Sequence, residues 1–339
     1  MSSNLSFGNS PSAMRRLGRV LICTILVFLA GCQTLPESGV KTFADSTSTL
    51  KTTLTTASDA AVQEVGMVFR EDKPTTDPAN NSGSLQQAWS SRIKVLDAMD
   101  NYADSLSALV NAGKSGQENA AKFADSLKNL VDAANGVPYA AAATPAVKAV
   151  LDGAAVVYGK IAVQIAAGKI QEAVEAADPI VSAVAELFAA DLINLRSIAR
   201  QSRLTAVTQL NSENDSLATM NGLTNARTVV ARKAFGNPPD GASIDLLKKI
   251  NDAGAALSTD PKYVAYLAQL KDINQVYARQ NDLLDQASLT LGAWASGHHK
   301  IVVGLRDKTA PSLKELAEFS SDLYTIYQDY RTARSKASQ

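Results

Sequence analysis

Residues 260–307 read DPKYVAYLAQLKDINQVYARQNDLLDQASLTLGAWASGHHKIVVGLRD. Asp260-Pro261 pairs a residue that caps a helix with one whose fixed φ suits the first helical position. With Tyr263 as position a of a heptad, the a series is Tyr263, Leu270, Tyr277, Leu284, Leu291, His298 and Leu305. The d series is Tyr266, Ile273, Gln280, Ala287, Trp294 and Ile301. Six heptads with only Gln280 and His298 clearly polar predict a long helix with a coiled-coil-like seam over 261–304. At 1.5 Å per residue it extends roughly 60 Å. Gly292, Gly297 and Gly304 are expected to weaken or bend its end.

Outward from this helix, the same period recurs. Ser312 and Glu315 have the spacing of a capping box ahead of a final helix through Leu316, Phe319, Leu323 and Tyr330. Upstream, Asn237-Pro238-Pro239-Asp240-Gly241 reads as a loop, with Ser243 capping a short helix through Leu247, Ile250 and Leu257. Near the other end, Val40, Phe43, Leu50, Leu54, Ala57, Ala61, Val65 and Val68 share one helical face, interrupted by Thr47. Leu85 to Ala112 resumes the period after a loop over Glu71–Ser84, and Gly113 and Gly116 bracket a break before a shorter helix through Phe123 and Leu127. Phe43-Ala44-Asp45-Ser46, Tyr102-Ala103-Asp104-Ser105 and Phe123-Ala124-Asp125-Ser126 echo one another. Their spacing is irregular, so they read as similar packing positions rather than a repeat.

Composition agrees. Alanine supplies 55 of 339 residues, while Gly and Pro together supply only 30, and Ala loses no side-chain entropy in a helix. An all-α, elongated antiparallel bundle is the expectation. The 33 basic residues balance 33 acidic ones, so no nucleic-acid footprint appears. The most apolar stretch runs from Val137 to Ala190, and its first 32 residues carry only Lys148, Asp152 and Lys160 as charges. Two fates suit it: a central hairpin buried in the bundle, or a membrane-active hairpin. Gly168-Lys169 reads as its turn. Asp178-Pro179 is expected to cap and start, or kink, the helix that follows.

The N-terminus carries an address. Arg15, Arg16 and Arg19 precede an apolar run, Val20–Ala30, too short to span a bilayer. The run ends in Leu29-Ala30-Gly31-Cys32, which resembles the lipobox of bacterial lipoproteins. That resemblance covers the signal alone. It implies cleavage before Cys32, acylation of Cys32, and, with Gln33 next, sorting to the outer membrane facing the periplasm. The removed segment takes three arginines and Cys23 with it, leaving a mature chain of net charge −3 without a free thiol. The expected organisation is a signal (1–31), an N-terminal helical arm (32–136), Ala-rich central helices (137–220) and a C-terminal helical arm (221–339). Residues 32–339 are expected to form one continuous bundle.

Chemistry is sparse. His298 and His299 are the sole histidines and project from different faces of a helix, a poor start for a metal site. Glu172, Glu175 and Asp178 fall on one face and read as a solvated stripe, while Arg196, Arg200 and Arg203 share a face that reads as a surface salt-bridge stripe, or one that touches lipid phosphates or an acidic partner. No phosphate loop, nucleophile elbow or dinucleotide fingerprint occurs, so neither an enzyme nor a cofactor is expected. The expected role is a lipid-anchored scaffold or binding protein engaging an envelope protein or its own copies. Leu270, Tyr277, Leu284, Leu291 and Trp294 form the candidate interaction seam. The alternative is a protein that perturbs membranes through 137–190, an architecture resembling α-helical pore-forming toxins.

Overall fold

Asp260 does cap the long helix. In the computed structural model its carboxylate accepts from the backbone N–H groups of Lys262 and Tyr263 at 2.9 and 3.1 Å, and Pro261 occupies the first turn. The structure describes residues 37–68, 82–112, 117–137, 144–167, 169–234 and 241–337. Over these the chain is all-α, in the order α1 (Glu37–Val68), α2 (Ser82–Ala112), α3 (Gln117–Asn135), α4 (Pro145–Ala166), α5 (Ile170–Ser212), α6 (Asp215–Ala234), α7 (Gly241–Ser258), α8 (Pro261–Asp307) and α9 (Lys314–Ala337). The signal and lipobox, the breaks at Gly113–Gly116 and 235–240, and most of the Glu71–Ser84 loop lie outside the described residues. α2 begins at Ser82, inside that expected loop, and α7 begins at Gly241, ahead of the expected cap Ser243.

α5 and α8 form an antiparallel spine of 43 and 47 residues, about 65 and 70 Å long. Their partners fix the register: Asp178 meets His298, Arg196 meets Asp285, Arg203 meets Asn274 and Asn211 meets Tyr266. The first half of α5 and the second half of α8 lie in a body with α1, α2, α3, α4 and α9. Beyond it the spine continues as an extension, joined by α6 and α7, which pack on each other.

One apolar core fills the body. Phe43, Tyr102, Phe123, Phe188, Trp294 and Tyr330 are all buried within it. The three echoed tetrapeptides converge here: the Tyr102 and Phe123 rings lie 5.4 Å apart, Phe43 stacks on Trp294, and the Ser105 and Ser126 hydroxyls share a hydrogen bond. Thr47, the interruption in the α1 stripe, has a reason to be there. Its Oγ1 accepts from the buried Trp294 Nε1 at 2.9 Å and donates to the Phe43 carbonyl. A buried indole N–H left without an acceptor is costly, so a hydroxyl among apolar neighbours is the cheaper choice.

Two local expectations are corrected. α5 runs unbroken through Pro179, so Asp178 is not a helix cap there. α8 also continues through all three of its late glycines to Asp307, so it does not fray there. Two of these admit neighbours: a Cβ on Gly304 would lie 2.7 Å from the Thr309 carbonyl oxygen, and one on Gly297 3.2 Å from Leu316. The helix then closes on Lys308, at φ 56°, with the Thr309 N–H donating back to Gly304.

Candidate functional site

The most organised polar group in the body is built around the two histidines. Tyr102 on α2, Asp178 on α5, and His298 and His299 on α8 form one chain of hydrogen bonds. Tyr102 Oη lies 2.7 Å from His298 Nε2, His298 Nδ1 lies 2.8 Å from Asp178 Oδ1, and His299 Nδ1 lies 2.7 Å from Asp178 Oδ2. A carboxylate only accepts, so both Nδ1 atoms carry protons and His298 Nε2 is left to accept from the phenol. Desolvation alone would raise the Asp178 carboxyl, but the hydrogen bonds from the two imidazoles outweigh it and hold the group below its ordinary value. Burial, with the nearby Asp178 charge, pushes the Tyr102 phenol well above its ordinary value, which keeps its proton in place.

The chemistry of this chain is that of a tie. Tyr102 and His298 are sealed from solvent, Asp178 is partly exposed and His299 is exposed. The network locks α2, α5 and α8 at one level. A second lock sits elsewhere in the body, where Arg92 of α2 and Asp191 of α5 pair through two hydrogen bonds of 2.5 and 2.9 Å at 3% and 0% exposure. Among the described residues no group of three or more His, Cys, Asp or Glu side chains is placed to hold a metal ion.

The predicted seam divides. Leu284, Leu291 and Trp294 are buried within the body, whereas Leu270 and Tyr277 are only half-buried in the extension. The arginine stripe crosses to α8: Arg196 pairs with Asp285, and Arg203 donates to Asn274 while lying 5.3 Å over the Tyr277 ring. Arg200 is exposed. Of the acidic stripe, Glu172 pairs with Lys169, and Asp178 is taken by the histidines. Sequence spacing did not foresee that two histidines on different faces share one carboxylate. The available signal was His298, a polar residue on an otherwise apolar seam, with His299 beside it.

Besides Val156, Val163, Leu289 and Tyr324 on the body, apolar side chains stay open on the extension. Leu204, Val229, Ile244, Leu246, Val264 and Leu267 are exposed there, and a surface groove of about 360 Å³ runs along Leu204, Thr205 and Thr208 of α5. This face lies at the far end from the start of α1, where Gly39 packs against Pro311 in the α8–α9 turn. A larger groove, about 460 Å³, lies beside that turn between Lys300, Gly304, Pro311 and Lys314. No protein-family model, curated protein or solved structure matches this chain.

Proposed function

We propose that the protein is a lipid-anchored, non-enzymatic envelope scaffold that presents its extension to a protein partner. The observation that carries this reading is the opposition of the two ends. Cys32, the residue the lipobox resemblance implies is acylated, lies five residues ahead of Glu37, a reach of about 18 Å. Leu204, Val229, Ile244, Leu246, Val264 and Leu267, exposed on α6, α7 and the far half of the spine, lie at the other end. Two or three acyl chains hold one end at a membrane stably, and the rigid spine sets the distance of the other. Apolar side chains left uncovered on a helix pair are the ordinary material of a docking face.

The test is site-specific photo-crosslinking in cells, with the probe at Ile244, Val264 or Leu267 and at Tyr324 on the body. Capture of one discrete envelope protein from the extension positions alone is expected. Capture from Tyr324 alone, or from no position, would overturn the reading. The anchor is tested apart from it: a Cys32→Ser chain that takes up as much radioactive palmitate as wild type is not anchored as proposed.

A second reading, membrane perturbation through 137–190, draws on α4, whose 22 residues are long and apolar enough to cross a membrane. Against it, the α5 half of that segment is the centre of the body core. Liposome leakage by the delipidated protein, lost on Val156→Lys, would favour it.

A further inference from the structure

α4 packs on α3 and α5 with one face and leaves the other open. Val156 and Val163 are 80% and 70% exposed, and Gly153 and Gly159 face empty space. With Ala149, Asp152 and Lys160, also exposed, these residues occupy one face of about 120°. Their order is self-complementary about Val156. A glycine stands three residues to either side, Asp152 four before and Lys160 four after, Ala149 seven before and Val163 seven after.

From this pattern we infer that the α4 face binds a second copy of the same chain, with the two α4 helices antiparallel and a two-fold axis at Val156. In that arrangement each Asp152 sits level with Lys160 of the second copy, giving two ion pairs. The glycines let the backbones approach, and Ala149 faces Val163 of the second copy. A two-fold contact repeats each interaction, which is why a pattern reversing about its own centre matters. A parallel pair would set Asp152 against Asp152 and Lys160 against Lys160, which repels. A bilayer is disfavoured as the occupant, because Asp152 and Lys160 on the contact face would each cost several kcal/mol in lipid. Among the described residues Asp152 pairs with the exposed Lys148, 3.4 Å away one helical turn earlier, a pairing of little worth. One helix pair buries less than the roughly 1,200 Å² of a standard interface, so the contact is weak unless copies are confined together. The inference goes beyond the scaffold reading but rests on its lipid anchor to confine the copies, and palmitate labelling of the Cys32→Ser chain tests that anchor separately.

The test is disulfide crosslinking of a full-length Val156→Cys chain in envelope membranes, with wild type as control so that a free Cys32 would declare itself. A covalent dimer at position 156 is expected. Added Asp152→Lys should reduce it about tenfold, and Asp152→Lys with Lys160→Asp should restore it. Three results would overturn the inference. One is no dimer, including the case in which the introduced thiol is shielded from water-soluble thiol reagents by lipid. Another is equally efficient self-crosslinking of Asp152→Cys, which means parallel helices. The last is a dimer indifferent to both charge changes.

Discussion

The two halves of α8 have similar heptads and opposite fates. Its C-terminal half places Leu284, Leu291, Trp294 and Ile301 in a core shared with six other helices, while Tyr263, Leu270 and Ile273 in its N-terminal half stay partly open to solvent. α5 mirrors it: Val174, Val181, Val184 and Phe188 are buried, and Leu204 is not. The same periodic signal therefore yields a core where neighbours surround it and a partly open surface where fewer helices meet it. Apolar periodicity specifies a face, and the number of elements that meet the face decides whether it is buried.

The largest expected difference is in core truncation. Trp294→Ala should destabilise the chain by about 3–5 kcal/mol in urea unfolding, because it empties a filled site and leaves Thr47 without its donor. Leu270→Ala, half-buried, should lower stability by about 1 kcal/mol or less. Equal losses at the two positions would erase the distinction between body and extension.

Next comes the buried ion pair. Arg92→Met should lose about 3–5 kcal/mol, since it strands the Asp191 carboxylate in the core. Adding Asp191→Leu should recover most of that loss in the same assay, because the penalty lies in the unpaired charge.

The histidine tie gives a smaller, pH-linked effect. Tyr102→Phe should lower stability by about 1–2 kcal/mol through loss of the donor to His298. Asp178 titrates lower in the folded chain than in the unfolded one, so its stabilisation is present above the unfolded value, about 3.9, and is lost as pH falls through its lower folded value. Thermal melts across acidic pH should therefore show a steeper loss for wild type than for Asp178→Asn. Parallel curves would mean the carboxylate is not held by the imidazoles.

The smallest effect belongs to the extension's cap. Asp260→Ala should release the first-turn amides of α8 and lower local stability by about 1 kcal/mol. Hydrogen exchange at 262–266 should quicken while amides near Trp294 stay unchanged.

Much of this architecture was legible in the sequence because its signals are local. The Asp260-Pro261 start, the break just ahead of Ile170 and the stripes of α1, α2 and α9 each declare themselves within a few residues. What stayed hidden is long-range. Asp178 looked like a cap because its true partners lie 120 and 121 residues away. Thr47 looked like a flaw until Trp294, 247 residues on, supplied its donor. Gly297 and Gly304 looked like weak points because helix propensity scores the backbone alone, whereas Leu316 and Thr309 need the space a side chain would fill.

The central claim is that a self-sufficient body carries an extension devoted to contact. Its most direct test is to shorten the chain by joining Arg203 to Asn274, which already touch at 2.8 Å, through a brief glycine-containing turn. The shortened protein should melt cooperatively within a few degrees of the full chain and no longer co-purify with the partner that the Val264 and Ile244 probes capture in the full chain. A body that unfolds without its extension, or a shortened protein that still co-purifies with that partner, would contradict the claim.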